Sequence, residues 1–108
     1  MTGMTELLKG ALEGVVLAHI AQAETYGYEI TQYLTALGFE DIVEGTVYTV
    51  LLRLEKKGLL TVTRRKSTLG PQRKFYQLNP AGEAYLNNFW EKWTFLAQTM
   101  ARLQEEAE

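Results

Sequence analysis

In the stretch Gly45-Thr46-Val47-Tyr48-Thr49-Val50-Leu51-Leu52-Arg53-Leu54-Glu55-Lys56-Lys57-Gly58-Leu59-Leu60-Thr61-Val62-Thr63 the hydrophobic period changes part-way along. Up to Lys57 the apolar residues Val47, Val50, Leu51 and Leu54 recur at helical spacing, and Gly58 follows as a natural stop. From Leu60 the period is two: Leu60 and Val62 alternate with Thr61 and Thr63, and Phe75, Tyr76 and Leu78 follow a gap containing Gly70-Pro71. The reading is a helix from about Gly45 to Lys57 and then a β-hairpin with a long basic tip. The outer face of that helix is expected to show Thr46, Tyr48, Thr49, Arg53, Lys56 and Lys57.

Upstream, Thr25 to Gly27 breaks the pattern before a short helix from Tyr28 to Leu37, closed by Gly38. A first helix is expected from Thr5, its N-cap, with Leu8, Leu12 and Val15 on one stripe. Gly10, Gly14, Ala18 and Ala21 form a second stripe. Each interior glycine costs about 0.8–1 kcal/mol relative to alanine, so another helix or a ligand is expected to approach closely there, the other reading being that the glycines are tolerated on a solvent face. Downstream, Asn79 and Pro80 open a final helix with Glu83 in its first turn. Its residues Leu86, Phe89, Trp93, Leu96, Met100 and Leu103 follow a heptad spacing, the pattern of a self-association seam.

Three helices, a hairpin and a long terminal helix place the chain in a mainly α class with a small β-hairpin. The expected architecture is a winged helix-turn-helix over residues 1–79 followed by a dimerisation helix over residues 80–108. Charge fits that arrangement. The net charge of −2 over 108 residues hides a basic centre: residues 45–79 hold eight Lys and Arg against one Glu, while the flanking segments are acidic. Such asymmetry is the footprint of a polyanion-binding surface. Thr46, Tyr48, Thr49, Arg53 and Lys56 are therefore the candidates for bases or backbone in the major groove, and Arg64, Arg65, Lys66, Arg73 and Lys74 for phosphates. Double-stranded DNA is the expected partner.

Other classes find little support. No apolar stretch reaches the roughly 20 residues of a membrane span, and a signal peptide is not expected, because Glu6 offsets Lys9 and Glu13 interrupts the apolar run. A cytoplasmic location is the expectation. There is no cysteine, and the one histidine, His19, lies among apolar neighbours, so no catalytic residue, metal site or cofactor is assigned.

The run Gly45 to Leu59 closely resembles the recognition-helix signature of PadR-family transcriptional regulators. Tyr26-Gly27-Tyr28-Glu29-Ile30 resembles the opening of that family's second helix, and Gly70-Pro71-Gln72-Arg73-Lys74-Phe75-Tyr76-Gln77-Leu78, followed by Ala81-Gly82, resembles its wing strand. The resemblance covers essentially the whole chain and points to the compact branch with a single C-terminal helix. It implies a homodimeric repressor on pseudo-palindromic promoter DNA, relieved by a small molecule or another signal. It also matches Trp93 to a tryptophan that flanks a flat aromatic ligand at the dimer interface. Phe89, Gly10 and Gly14 are expected beside it, the glycines leaving space; the other reading is that the indoles fill the dimer core. The alternative function is a winged-helix dimer acting mainly through protein partners.

Overall fold

Two glycines end two helices in the same way. In the computed structural model, which describes residues 4–66 and 70–107, Gly38 (φ 106°) and Gly58 (φ 75°) adopt the left-handed conformation that side chains resist. Beyond each, an amide returns to the last turn: Phe39 N–H to the Leu34 carbonyl at 3.0 Å and Leu59 N–H to the Leu54 carbonyl at 3.2 Å. The elements are α1 (Met4–Leu8), α2 (Leu12–Ile20), α3 (Gly27–Ala36), α4 (Glu44–Lys56), β1 (Leu60–Lys66), β2 (Gln72–Leu78) and α5 (Pro80–Ala107). This is a winged helix-turn-helix with a long C-terminal helix, as the change of period predicts.

The first helix is corrected to two, separated by a turn at residues 9–11 that contains Gly10. The break lets Met4 and Leu8 line a crevice with Phe39 and Ile42 of the α3–α4 connection, and Leu8 and Leu12 are both buried. The side chain of Thr5, expected as a cap, lies outside the described residues.

The core gathers on α2, which touches α3, α4, α5 and β2. Every residue of this helix is buried or half-buried, because a helix apolar on most of its faces must be enclosed. Val16, Leu17 and Ile20 meet Ile30 and Leu34 of α3 and the inner face of α4, which consists of Val47, Val50, Leu51 and Leu54. His19 stacks on Tyr33 with ring centroids 4.0 Å apart, and neither of its ring nitrogens has a hydrogen-bond partner among the described residues. Burial holds its pKa below the ordinary histidine value, against a weaker opposing pull from Glu29, so the ring is neutral.

The two strands pair antiparallel, Leu60 opposite Leu78 and Lys66 opposite Gln72. Thr25 adds one bridge beside β2, exchanging both backbone bonds with Tyr76 at 3.1 and 2.7 Å. The hairpin is thereby tied to the α2–α3 connection. Asn79 opens α5 as expected: its Oδ1 accepts from the Gly82 amide at 2.8 Å, and its Nδ2 donates to the Gly58 carbonyl at 2.9 Å.

Gly82 lies directly on the backbone carbonyl of Leu59, where a Cβ would collide with that oxygen and press on Leu78. Gly82→Ala is therefore expected to destabilise the protein by about 1–3 kcal/mol through overpacking. Gly10→Ala, with nothing within 4 Å of the added methyl, is expected to leave stability unchanged or raise it slightly. Thermal unfolding of the two variants beside the parent chain checks both.

Candidate nucleic-acid interface

A helix turns 100° per residue, so burying Val47, Val50, Leu51 and Leu54 aims Gly45, Thr49, Leu52 and Lys56 directly away from the core. All four are exposed. The flanks of this ridge differ. On one side Tyr48 lays its ring against Gly27 at the start of α3, where an added side chain would displace that ring, and Tyr48, Leu52 and Glu55 line a cleft shared with the hairpin. On the other side Thr46, Thr49 and Arg53 line a smaller groove with Leu12 of α2 and Asp41.

Arg53 is not a free cation. Its Nε lies 3.2 Å from Glu13 of α2, and Lys57 Nζ lies 2.9 Å from the other oxygen of the same carboxylate. The Tyr85 hydroxyl of α5 donates to that oxygen at 3.2 Å and accepts from Lys57 at 3.2 Å. Partial burial works against the Glu13 charge. The Lys57 hydrogen bond and charge, the Tyr85 hydroxyl and the charge of Arg53 outweigh it, and the carboxyl titrates below its usual range. This node joins α2, α4 and α5. Its one legible signal is that Glu13 is the single acidic residue in an otherwise apolar helix.

Opposite residues of an antiparallel pair share a face, which sorts the hairpin cations into two sets. Arg64 with Lys74, and Lys66 with Gln72, continue the face of Leu60, Val62 and Tyr76; Lys74 there reaches Glu55 of α4 at 3.3 Å. Arg65 and Arg73 lie on the reverse face. The Arg65 guanidinium stacks 4.5 Å over Phe75 and pairs with Glu24 at 2.7 Å, while that of Arg73 lies 4.4 Å over Tyr26. Tyr26 and Phe75 themselves meet edge-on at 5.4 Å. The guanidinium planes are thus held before any partner arrives. Composition announced these arginines, but not the aromatic platform under them.

The cleft between α4 and the hairpin is open and about 740 Å³ in volume. Tyr48 and Leu52 form part of one wall, and Arg73 and Lys74 part of the other. The hairpin tip at 67–69 lies outside the described residues. Among the described residues no three of His, Asp and Glu come together as a group able to hold a metal ion, and no helix is long and apolar enough to cross a membrane.

Along α5 the heptad residues divide. Leu86 is buried in the chain's own core, and Phe89 is half-buried with its ring packed on Gly14. The space expected beside Gly14 is therefore filled from within the chain, and the close approach expected of the glycine stripe is the approach of α5. At Gly10 nothing approaches. Farther along, Trp93, Leu96, Met100 and Leu103 are each roughly half exposed, with Trp90 beside them and Phe95 71% exposed off the seam.

The described geometry has close parallels. Residues 16–88 match the transcriptional regulator PadR-like family. A PadR-like transcriptional regulator of Bacillus cereus is 39% identical and superposes with a TM-score of 0.82, over 92% of this chain and 96% of its own. A Streptococcus transcriptional regulator is 43% identical with a TM-score of 0.81, over 92% and 97%. A transcriptional regulator of Mycobacterium tuberculosis is 37% identical over 83 residues, 77% of this chain and 76% of its own length. With the family matched from the second half of α2 through the helix-turn-helix and the wing to the start of α5, the chain belongs to the PadR-like transcriptional regulators and is a DNA-binding regulator of that family.

Proposed function

We propose that the chain is a repressor that acts without catalysis, as a homodimer, on pseudo-palindromic promoter DNA. The reading rests on one observation: the outer face of α4 and the hairpin cations Arg73 and Lys74 share a single cleft. In this reading α4 enters the major groove with Thr46, Tyr48, Thr49, Arg53 and Lys56 toward bases and backbone. Arg64, Arg65, Lys66, Arg73 and Lys74 of the hairpin hold phosphates. Arg53 reaches DNA only by sharing or leaving the Glu13 carboxylate.

Two-fold symmetry places the paired α4 helices in successive major grooves, about 34–36 Å apart. Each phosphate contact contributes about 0.9 to the slope of log affinity against log salt. Arg73→Ala with Lys74→Ala is expected to weaken binding to all duplexes alike and to flatten that slope by about two per protomer, about 3.6 for the dimer. Fluorescence anisotropy with a labelled duplex across a salt series measures it. Unchanged affinity would remove the hairpin from the DNA surface, and weak, salt-insensitive binding by the parent chain would favour a protein partner.

The exposed strip of Trp93, Leu96, Met100 and Leu103 is the proposed dimer seam, since a lone chain would leave it in water. The parent chain is expected to sediment as a dimer at micromolar concentration and Leu96→Glu as a monomer. A stable monomer of the parent chain would sink the seam.

Within that dimer the two Trp93 indoles offer flat faces to a planar aromatic ligand, each stack worth about 0.5–1.5 kcal/mol beyond burial. Such a ligand relieves repression only as far as it prefers the dimer geometry that does not bind DNA. Planar dyes are expected to quench tryptophan fluorescence in the parent chain and to lose their binding in Trp93→Ala. Binding that survives the substitution would place the ligand elsewhere.

A further inference from the structure

The ridge of α4 that faces away from the core carries a leucine. Leu52 is 51% exposed, while its neighbour Leu51, pointing inward, is 1% exposed. Its neighbours on the ridge offer little hydrogen bonding. Gly45 has no side chain, and the Thr49 hydroxyl donates to the Gly45 carbonyl at 3.0 Å, which commits its proton inside the helix. Lys56 is the one charged side chain of the ridge. Around the leucine the charge balance is cationic: Arg73 and Lys74 stand across the cleft that Leu52 lines, Lys74 paired there with Glu55, and Lys56 lies one turn further along α4. An apolar side chain in a cleft with a net excess of cations does not suit an apolar protein partner. It suits a polyanion that carries an apolar group where the helix touches it.

Duplex DNA carries one such group on the major-groove edges of its bases, the 5-methyl of thymine. We propose that Leu52 reads thymine through that methyl, with the Thr49 side chain beside it. The assignment rests on the DNA-binding reading above and makes Leu52 a specificity-determining residue. The sequence pattern assigns Leu52 to neither the inner nor the outer face of this helix.

Replacing thymine by deoxyuracil removes only the methyl and leaves base pairing and the O4 acceptor intact. The experiment selects a preferred duplex from a random pool with the full chain and substitutes each thymine in turn by deoxyuracil. Affinities are then measured for the parent chain, Leu52→Ala and Leu52→Met. Burying one methyl corresponds to about a fourfold change in affinity. One or two positions in each half-site are expected to show that loss with the parent chain and with Leu52→Met. With Leu52→Ala, thymine and uracil duplexes are expected to bind equally. Because Leu52 is outside the core, the thermal unfolding of Leu52→Ala should match the parent. Silence at every uracil position, or full discrimination retained by Leu52→Ala, would overturn the assignment and leave the DNA-binding reading standing. Failure to select any duplex would overturn both.

Discussion

A nine-residue helix with no exposed position cannot carry an unpaired carboxylate, and α2 carries Glu13. Partial burial penalises an unpaired charge, and the elements that close over α2 bring the partners with them. Arg53 and Lys57 arrive from α4 and its C-terminal end, and Tyr85 arrives from α5. Hydrophobic burial sets how closely these helices pack, but it is tolerant of rotation and sliding. The shared carboxylate is directional. Together they fix the rotation of α4 about its axis, and hence which residues face outward.

Fixing α4 leaves the hairpin to be oriented. Two backbone bonds between Thr25 and Tyr76, with Lys74 on Glu55, tie it to both sides of the helix-turn-helix. The aromatic pair Tyr26 and Phe75 then gives Arg65 and Arg73 flat surfaces to rest on. Each such stack is worth only about 0.5–1 kcal/mol at an exposed site. Its larger effect is on entropy, since a long side chain already held in place loses less freedom when it meets a phosphate.

What could be read in the sequence was whatever repeats at short range. The inner face of α4, the alternation of β1 and β2, the caps at Gly38, Gly58 and Asn79, and the charge imbalance all follow from periodicity or a local backbone need. The division of the first helix was not legible, because Leu8, Leu12 and Val15 keep helical spacing across the turn. Nor were the contacts that join distant segments: Phe89 on Gly14, the Leu59 carbonyl on Gly82, Glu13 on Arg53. For the glycines the signal was present but its answer was not, since a missing side chain announces that something approaches without saying what. Phe89 and Leu86 fit a heptad seam equally well whether they face a second chain or their own core. Only the tertiary packing separates the two.

With α5 as the proposed dimer seam, Phe89 on Gly14 would serve as a fulcrum. The molecule extends 58 × 32 × 20 Å, and α5 beyond Phe89 runs on through Ala107, a free arm of roughly 27 Å at 1.5 Å rise per residue. A tilt of about 5° at the ring would carry the far end through about 2 Å over that length. In a two-fold assembly built on this arm the displacement is doubled, because both arms pivot. Subtle repacking of one aromatic ring against one glycine would then change the span between two DNA-reading helices by a distance that a fixed half-site spacing can sense.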